Sequence, residues 1–167
     1  MANTSVLFSF CSLLMSAIFA YSGFVQLNDP DWYFWFPLYA SSCVVNMLNW
    51  AISSNFIRKI AEVTLWLGIF LFFKVVMEDF VNETAGFWSL DLSERVVREK
   101  TGSGLVIFSL ILQLQALSKL ENSKSGNQRK KKVFPRFVEY GMAILVSFSF
   151  GLPLVFFVVR NEEMKFD

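Results

Sequence analysis

Long stretches without a charged residue alternate with short polar segments along this chain. Four stretches contain no Asp, Glu, Lys or Arg, and they cover residues 2–28, 32–57, 101–118 and 140–159. A helix that crosses the hydrocarbon core of a bilayer needs about 20 predominantly apolar residues. A fifth stretch, residues 60–80, is apolar enough to cross if the long side chain of Lys74 reaches toward one membrane surface. The pattern therefore predicts helices that span a membrane.

We expect an all-α polytopic membrane protein, a single domain over residues 1–167 that folds as a five-helix transmembrane bundle. The predicted spans cover about residues 5–27, 37–54, 60–80, 104–120 and 137–159. The alternative for the first span is a cleaved signal peptide, with Ala20 and Ser22 at the small-residue positions of a cleavage site. Its start lacks Lys and Arg and its apolar run is longer than that of most signal peptides, so we favour a retained helix.

Charge in the connections predicts the orientation of the bundle. The first connection carries Asp29 and Asp31, whereas the second carries Arg58 and Lys59. Residues 78–100 hold six acids and three bases, net −3, and residues 119–139 hold seven bases and two acids, net +5. Because basic loops stay in the cytosol, we expect the N-terminus in the cytosol and the C-terminus in the lumen or outside the cell. The host would be the endoplasmic reticulum, another endomembrane or the plasma membrane.

The fourth connection contains the densest run of positive charge. Residues 121–133 are predicted to form a mobile cytosolic loop, because they are polar and contain Gly and Ser. Its basic cluster consists of Arg129, Lys130, Lys131 and Lys132. In a multi-pass protein such a cluster fixes orientation and contacts anionic lipids, so we do not expect a nucleic-acid partner.

Asn82-Glu83-Thr84 matches the acceptor sequence for N-glycosylation and falls in a predicted lumenal connection. Asn3-Thr4-Ser5 matches it too, but the predicted topology places that site in the cytosol. We therefore expect any glycan on Asn82.

Composition removes several kinds of chemistry. The chain has no histidine, which excludes Ser-His-Asp or Cys-His nucleophile systems and histidine-ligated metals. Its two cysteines, Cys11 and Cys43, both fall in predicted spans, so a lumenal disulfide framework is not expected. We expect no cofactor and no resident metal ion.

Polar side chains inside the spans have two interpretations. Asn46 and Asn49 share one face of the second span with Ser42 and Ser53, spaced by three or four residues. These groups can hydrogen-bond neighbouring helices or line the path of a solute. Lys74 and Glu78 lie one turn apart on the third span, where they can pair, or Lys74 can reach the lumenal acids.

The segment Asp29-Pro30-Asp31 is typical of a helix start, with Pro30 at the first helical position. The aromatic residues 32–36 follow, and we expect them to form a short interfacial turn before Pro37 and the second span. Farther along, Glu94–Arg98 and Arg95–Glu99 are oppositely charged pairs four residues apart, which favour a helix leading into the fourth span.

Two blocks of sequence resemble the transmembrane protein 220 family. The first is Val25-Gln26-Leu27-Asn28-Asp29-Pro30-Asp31 after an apolar helix, and the second includes Glu94, Arg98, Glu99 and residues 103–107. Residues 32–37 and the basic cluster depart from the family pattern. The resemblance implies a small multi-pass membrane protein and adds no activity.

Both blocks lie on the predicted lumenal side, so their loops can meet there. The candidate polar cluster consists of Gln26, Asn28, Asp29, Asp31, Glu94, Arg98 and Glu99. Such a cluster can bind a small polar solute or a hard cation through oxygen ligands, or it can hold two loops together by capping and ion pairing. We favour the structural interpretation, because acids beside bases usually neutralise one another.

No catalytic motif is present. The preferred hypothesis is a non-enzymatic membrane protein that acts through protein or lipid partners, such as other membrane proteins or anionic lipids of its bilayer. The alternative is a small-solute or cation transporter or channel with a polar site facing the lumen. A membrane enzyme using lumenal carboxylates is less favoured.

Overall fold

The protein consists of five helices in the computed structural model, which describes residues 6–48, 55–82, 95–125 and 135–163. Side chains are described for residues 6–48, 55–81, 95–119 and 135–155. The helices are α1 (Val6–Gln26), α2 (Trp32–Leu48), α3 (Asn55–Asn82), α4 (Arg95–Ser125) and α5 (Arg136–Glu163). No strand occurs within these ranges. The expected all-α five-helix bundle is confirmed.

The helices have the length and apolar character that a bilayer demands. Four of them, α1, α3, α4 and α5, are long and apolar enough to cross a membrane. With 17 residues, α2 is about 26 Å long, the low end of the range for a spanning helix. Large apolar side chains such as Trp66, Phe70 and Ile144 are exposed on the outside of the bundle, as expected of surfaces that face lipid. The chain is an integral membrane protein.

The turn between α1 and α2 departs from its prediction. Backbone N–H groups of residues 27–29 donate to carbonyls three residues earlier, and Trp32 N–H donates to the Asp29 carbonyl over 3.2 Å. The helix therefore begins at Trp32, so the prediction that Pro30 occupies its first position is wrong. Residues 32–36 form the first turns of α2, and Pro37 lies inside the same helix.

Consecutive helices run in opposite directions and pack pairwise. α1 packs on α2 and α5, α3 packs on α4 and α2, and α4 also contacts α2 and α5. At Gly68, α3 and α4 lie close together, since an added methyl group would be in ordinary van der Waals contact with Val106 and Ile107 of α4 at 3.4–3.5 Å. The core between these helices is filled by large side chains, including Phe8, Trp35 and Leu110. This alternation brings the end of α1, the start of α2, the end of α3 and the start of α4 to the same end of the bundle.

Candidate functional site

Charged side chains gather at the end of the bundle that holds Asp31, which we call the Asp31 end. Asp31 lies in the turn before α2, Lys74 and Asp79 lie in the last turns of α3, and Arg95 lies at the start of α4. Because these helices alternate in direction, residues far apart in sequence meet here.

Asp31 links three helices through one carboxylate. Its Oδ2 atom accepts hydrogen bonds from Trp35 Nε1 of α2 over 3.1 Å and from an Arg95 guanidinium N–H of α4 over 2.6 Å. Lys74 Nζ of α3 lies 3.7 Å from the same oxygen. The Asp31 side chain is only 14% exposed, so these contacts replace most of its hydration. The carboxylate therefore acts as a shared anchor for α2, α3 and α4.

Two further ion pairs extend the cluster along α4. Arg95 Nε donates to Glu99 Oε1 over 2.6 Å, and the Glu99 side chain is only 3% exposed. Lys100 Nζ lies 3.0 Å from Asp79 Oδ2, and both side chains are largely buried. Burial of these charges is tolerated because each has an oppositely charged partner at hydrogen-bond distance.

Lys74 differs from the other cations of the cluster. Its ammonium lies 3.7 Å from Asp31 Oδ2 and 3.8 Å from Glu78 Oε2, beyond the roughly 3.2 Å limit of an ordinary N–H···O hydrogen bond. It also lies 5.9 Å from the centroid of the Phe34 ring. The side chain is 38% exposed. Lys74 thus reaches the Asp31 end, and neither of its ion pairs is short enough to be a hydrogen bond.

Behind the ion pairs lies a buried hydroxyl. Tyr39 is 3% exposed, and its hydroxyl lies near the side chain of Gln26 at the end of α1. The Tyr39 ring stacks on Trp35, with centroids 6.3 Å apart, and on Phe19 at 6.4 Å. Its hydroxyl occupies the space where a side chain at Gly102 of α4 would begin. Gly102 is therefore required for the close approach of α2 to α4.

Two buried acceptors at this end have no hydrogen-bond donor among the described residues. They are Gln26 Oε1 and Asp31 Oδ1. An unpaired buried acceptor costs about 1–3 kcal/mol. A hydrogen-bond donor placed beside either oxygen would therefore stabilise the cluster.

The structure brings together part of the predicted polar cluster. Gln26, Asp31 and Glu99 lie within it, and Asp29 is close enough to act electrostatically on Arg95. Asn28 and Arg98 are exposed, and Glu94 lies outside the described residues. Arg95, Trp35, Asp79 and Lys100 are additional members. The four-residue spacing of Arg95 and Glu99 was a sequence signal for that pair, but no spacing rule connects Asp79 to Lys100.

A second polar cluster lies inside the bundle around Asn46, and we call it the Asn46 cluster. Asn46 Oδ1 accepts hydrogen bonds from Ser109 Oγ over 3.0 Å and from Gln113 Nε2 over 2.9 Å. The same Gln113 nitrogen donates to Ser12 Oγ of α1 over 2.9 Å, and Asn46 Nδ2 donates to the Ser42 carbonyl. These side chains are at most 1% exposed. The side-chain amide of Gln113 therefore links α4 to both α2 and α1.

Several other predicted positions yield no side-chain geometry. Asn49 and the cluster Arg129, Lys130, Lys131 and Lys132 lie outside the described residues, and Asn82 is described only as the last residue of α3. Within the described ranges, no three Cys, Asp or Glu side chains are arranged to hold a metal ion. The chemistry that the site offers is hydrogen bonding and ion pairing at one end of the bundle.

Comparison with known proteins identifies the family. A family model described as transmembrane family 220, helix, matches residues 18–115, more than half of the chain. The match includes both sequence blocks around Asp31 and Glu99, and it also includes Asn46 and Gln113. No curated protein and no solved structure matches the chain.

Proposed function

The chain belongs to transmembrane family 220, and from this premise we propose that it is a non-enzymatic helical membrane protein that acts by binding protein or lipid partners. The main support is how its polar groups are used. Asp31, Asp79 and Glu99 are ion-paired at distances of 2.6–3.0 Å, so their charge is neutralised within the protein. A carboxylate that acts as a general acid or base must instead face a substrate.

The Asn46 cluster supports the same proposal. A polar face on a spanning helix can line a solute path, but here Asn46 accepts hydrogen bonds from two side chains of α4, and both Asn46 and Ser42 are buried. Interhelical hydrogen bonds of this kind stabilise membrane bundles by about 0.6 kcal/mol each. We therefore assign the polar face of α2 to helix association.

Replacing Asn46 with leucine tests this assignment. The change removes two interhelical bonds, leaves the Ser109 hydroxyl without its acceptor and leaves Gln113 Nε2 with Ser12 alone, so we expect the free energy of unfolding in detergent micelles to fall by about 1–2 kcal/mol. Met47→Leu, at the exposed neighbouring position, is the matched control and should change it little. Unchanged stability in Asn46→Leu, together with altered solute flux into proteoliposomes, would contradict the assignment and favour transport.

Transport remains the second candidate because of the unpaired acceptors. Besides Gln26 Oε1 and Asp31 Oδ1, Gln113 Oε1 in the middle of the bundle has no hydrogen-bond donor within the described ranges. A cation or a polar solute supplies the positive charge or donors that such oxygens attract. Cation or solute flux that is lost in Gln113→Leu but retained in Met47→Leu would support this candidate.

We further propose that the Asp31 end faces the lumen or the exterior and that the N-terminus is cytosolic. The support is the excess of Lys and Arg in the second and fourth connections. In a glycosylation assay on microsomes, we expect an acceptor site engineered near Ser125 to stay unmodified. Any natural glycan should be lost in Asn82→Gln, whereas Asn3→Gln should have no effect. Modification at the Ser125 site would reverse the proposed topology.

A further inference from the structure

We propose, building on the proposed function, that the rim of the Asp31 end binds the headgroup of phosphatidylcholine. Lys74 would contact the phosphate, and the exposed aromatic rings at the start of α2 would contact the choline.

The rings form an exposed surface at the first turns of α2. Trp32 is 46% exposed and Tyr33 is 55% exposed, and Phe36 one turn farther is also exposed. The ring centroids of Trp32 and Tyr33 are 6.5 Å apart with planes at 82°, and those of Trp32 and Phe36 are 6.5 Å apart at 66°. Steeply inclined ring faces of this kind bind quaternary ammonium groups, which are attracted to the negative face of an aromatic ring and have no N–H to donate.

Lys74 supplies the complementary positive charge beside these rings. Its ammonium lies near the Phe34 ring, and the Phe34 centroid is 4.5 Å from that of Tyr33. Lys74 therefore lies at the edge of the aromatic surface, with Phe34 between its ammonium and Tyr33. Because the ion pairs of Lys74 are 3.7 and 3.8 Å long, its ammonium can form a shorter charge-assisted hydrogen bond with another acceptor, and a lipid phosphate supplies one.

The same contacts disfavour other common headgroups. Phosphatidylglycerol carries no cation for the rings. The primary ammonium of phosphatidylethanolamine prefers carboxylate oxygens, but Asp31 Oδ2 and Glu99 Oε1 are engaged by Arg95. Asp31 Oδ1 is buried away from the rim, which leaves the partly exposed Glu78 carboxylate, already beside Lys74. Trp and Tyr are also the residues that membrane proteins place at headgroup level, where a choline lipid would meet them.

Native mass spectrometry of the full-length protein in detergent tests the proposal. Phosphatidylcholine, phosphatidylethanolamine and phosphatidylglycerol with identical acyl chains are added in equal amounts, and the bound lipids are counted. We expect phosphatidylcholine to be retained preferentially. Tyr33→Leu should weaken its retention about two- to fivefold, and Lys74→Met about fivefold, while Lys74→Arg should restore it.

Matched controls lie elsewhere on the same protein. Phe70→Leu removes an exposed ring from the middle of α3, and Lys59→Met removes an exposed cation from its opposite end. Both should leave retention unchanged. Equal retention of the three lipids, or equal losses in the controls and in the variants at the Asp31 end, would overturn the proposal. A thermal unfolding midpoint measured for each variant separates lost lipid binding from lost fold.

Failure here leaves the proposed function standing. If the protein shows no preference for phosphatidylcholine but a protein partner still co-purifies with it, the lipid site is rejected and the proposed function is not. Solute flux through the purified protein would instead reject the proposed function.

Discussion

Replacing Asp31 with alanine is expected to lower the free energy of unfolding by about 3 kcal/mol, because removing one member of a buried ion-paired cluster leaves the others uncompensated. Among the described residues, Arg95 would keep Glu99 as its one ion-pair partner, and Trp35 Nε1 would lose the acceptor that it holds at 3.1 Å. Lys74 would lose one of its two neighbouring carboxylates. Water can reach part of the Arg95 side chain, which keeps the expected loss at the low end of the range for buried pairs.

Chemical denaturation in detergent micelles measures this loss. The control is Glu62→Ala, which removes the partner of Arg58 in an exposed pair on α3. An exposed pair of this type contributes about 0–1 kcal/mol, so the control should change stability by less than 1 kcal/mol. Equal effects of the two substitutions would show that Asp31 does not anchor the helices. Asp31→Asn should fall between the two, since an amide oxygen still accepts hydrogen bonds but carries no charge.

Replacing Gly102 with alanine is expected to destabilise the bundle by about 2 kcal/mol, although alanine normally favours a helix over glycine by about 1 kcal/mol. The new methyl group would overlap the Tyr39 hydroxyl. That hydroxyl cannot move easily, because Tyr39 is buried and its ring stacks on Trp35 and Phe19. The expected result is a separation of α2 from α4 at the Asp31 end.

A double-mutant cycle identifies the cause. Tyr39→Phe removes the hydroxyl, so Gly102→Ala should cost less in that background than in the natural one. Recovery should be partial, because the ring carbon Cζ still lies 3.2 Å from the position of the new methyl group. Gly104→Ala, two residues away with no atom within 4 Å, should instead be neutral or stabilising. A cost of Gly102→Ala that is the same with and without the Tyr39 hydroxyl would exclude the overlap as its cause.

The sequence was sufficient to predict the number and type of helices. Charge-free runs predict spans because the hydrocarbon core excludes charge, and this holds whatever the helices pack against. The ends of helices were harder to predict. α3 begins at Asn55, ahead of the predicted span, and α4 begins at Arg95, within the charged segment that was expected to form a helix leading into the fourth span. A helix can continue past the membrane, and apolarity does not report where its backbone hydrogen bonds stop.

The candidate site was only partly predictable for a different reason. Asp31 and Glu99 were grouped because their loops lie on the same predicted side of the membrane. Asp79 and Lys100 were missed because their contact depends on how α3 and α4 are rotated against each other. One residue along a helix turns the side chain by about 100°, so a pair between helices requires the packing and not only the topology. Hydrogen bonding of Asn46 to a neighbouring helix was one of two interpretations of its position, but its partners Ser109 and Gln113 could not be named for the same reason.

The pairing of helices in this bundle has a consequence for its synthesis on the ribosome. α1 packs on α2 and α3 packs on α4, so each pair can assemble as a hairpin as soon as its second helix has been made. The bonds that join the hairpins, Asn46 to Gln113 and Asp31 to Arg95, are complete once α4 has been inserted. α5 then adds to a surface formed by α1 and α4. A nascent chain released before α5 should therefore already hold its four helices together, with the last helix adding to an existing scaffold.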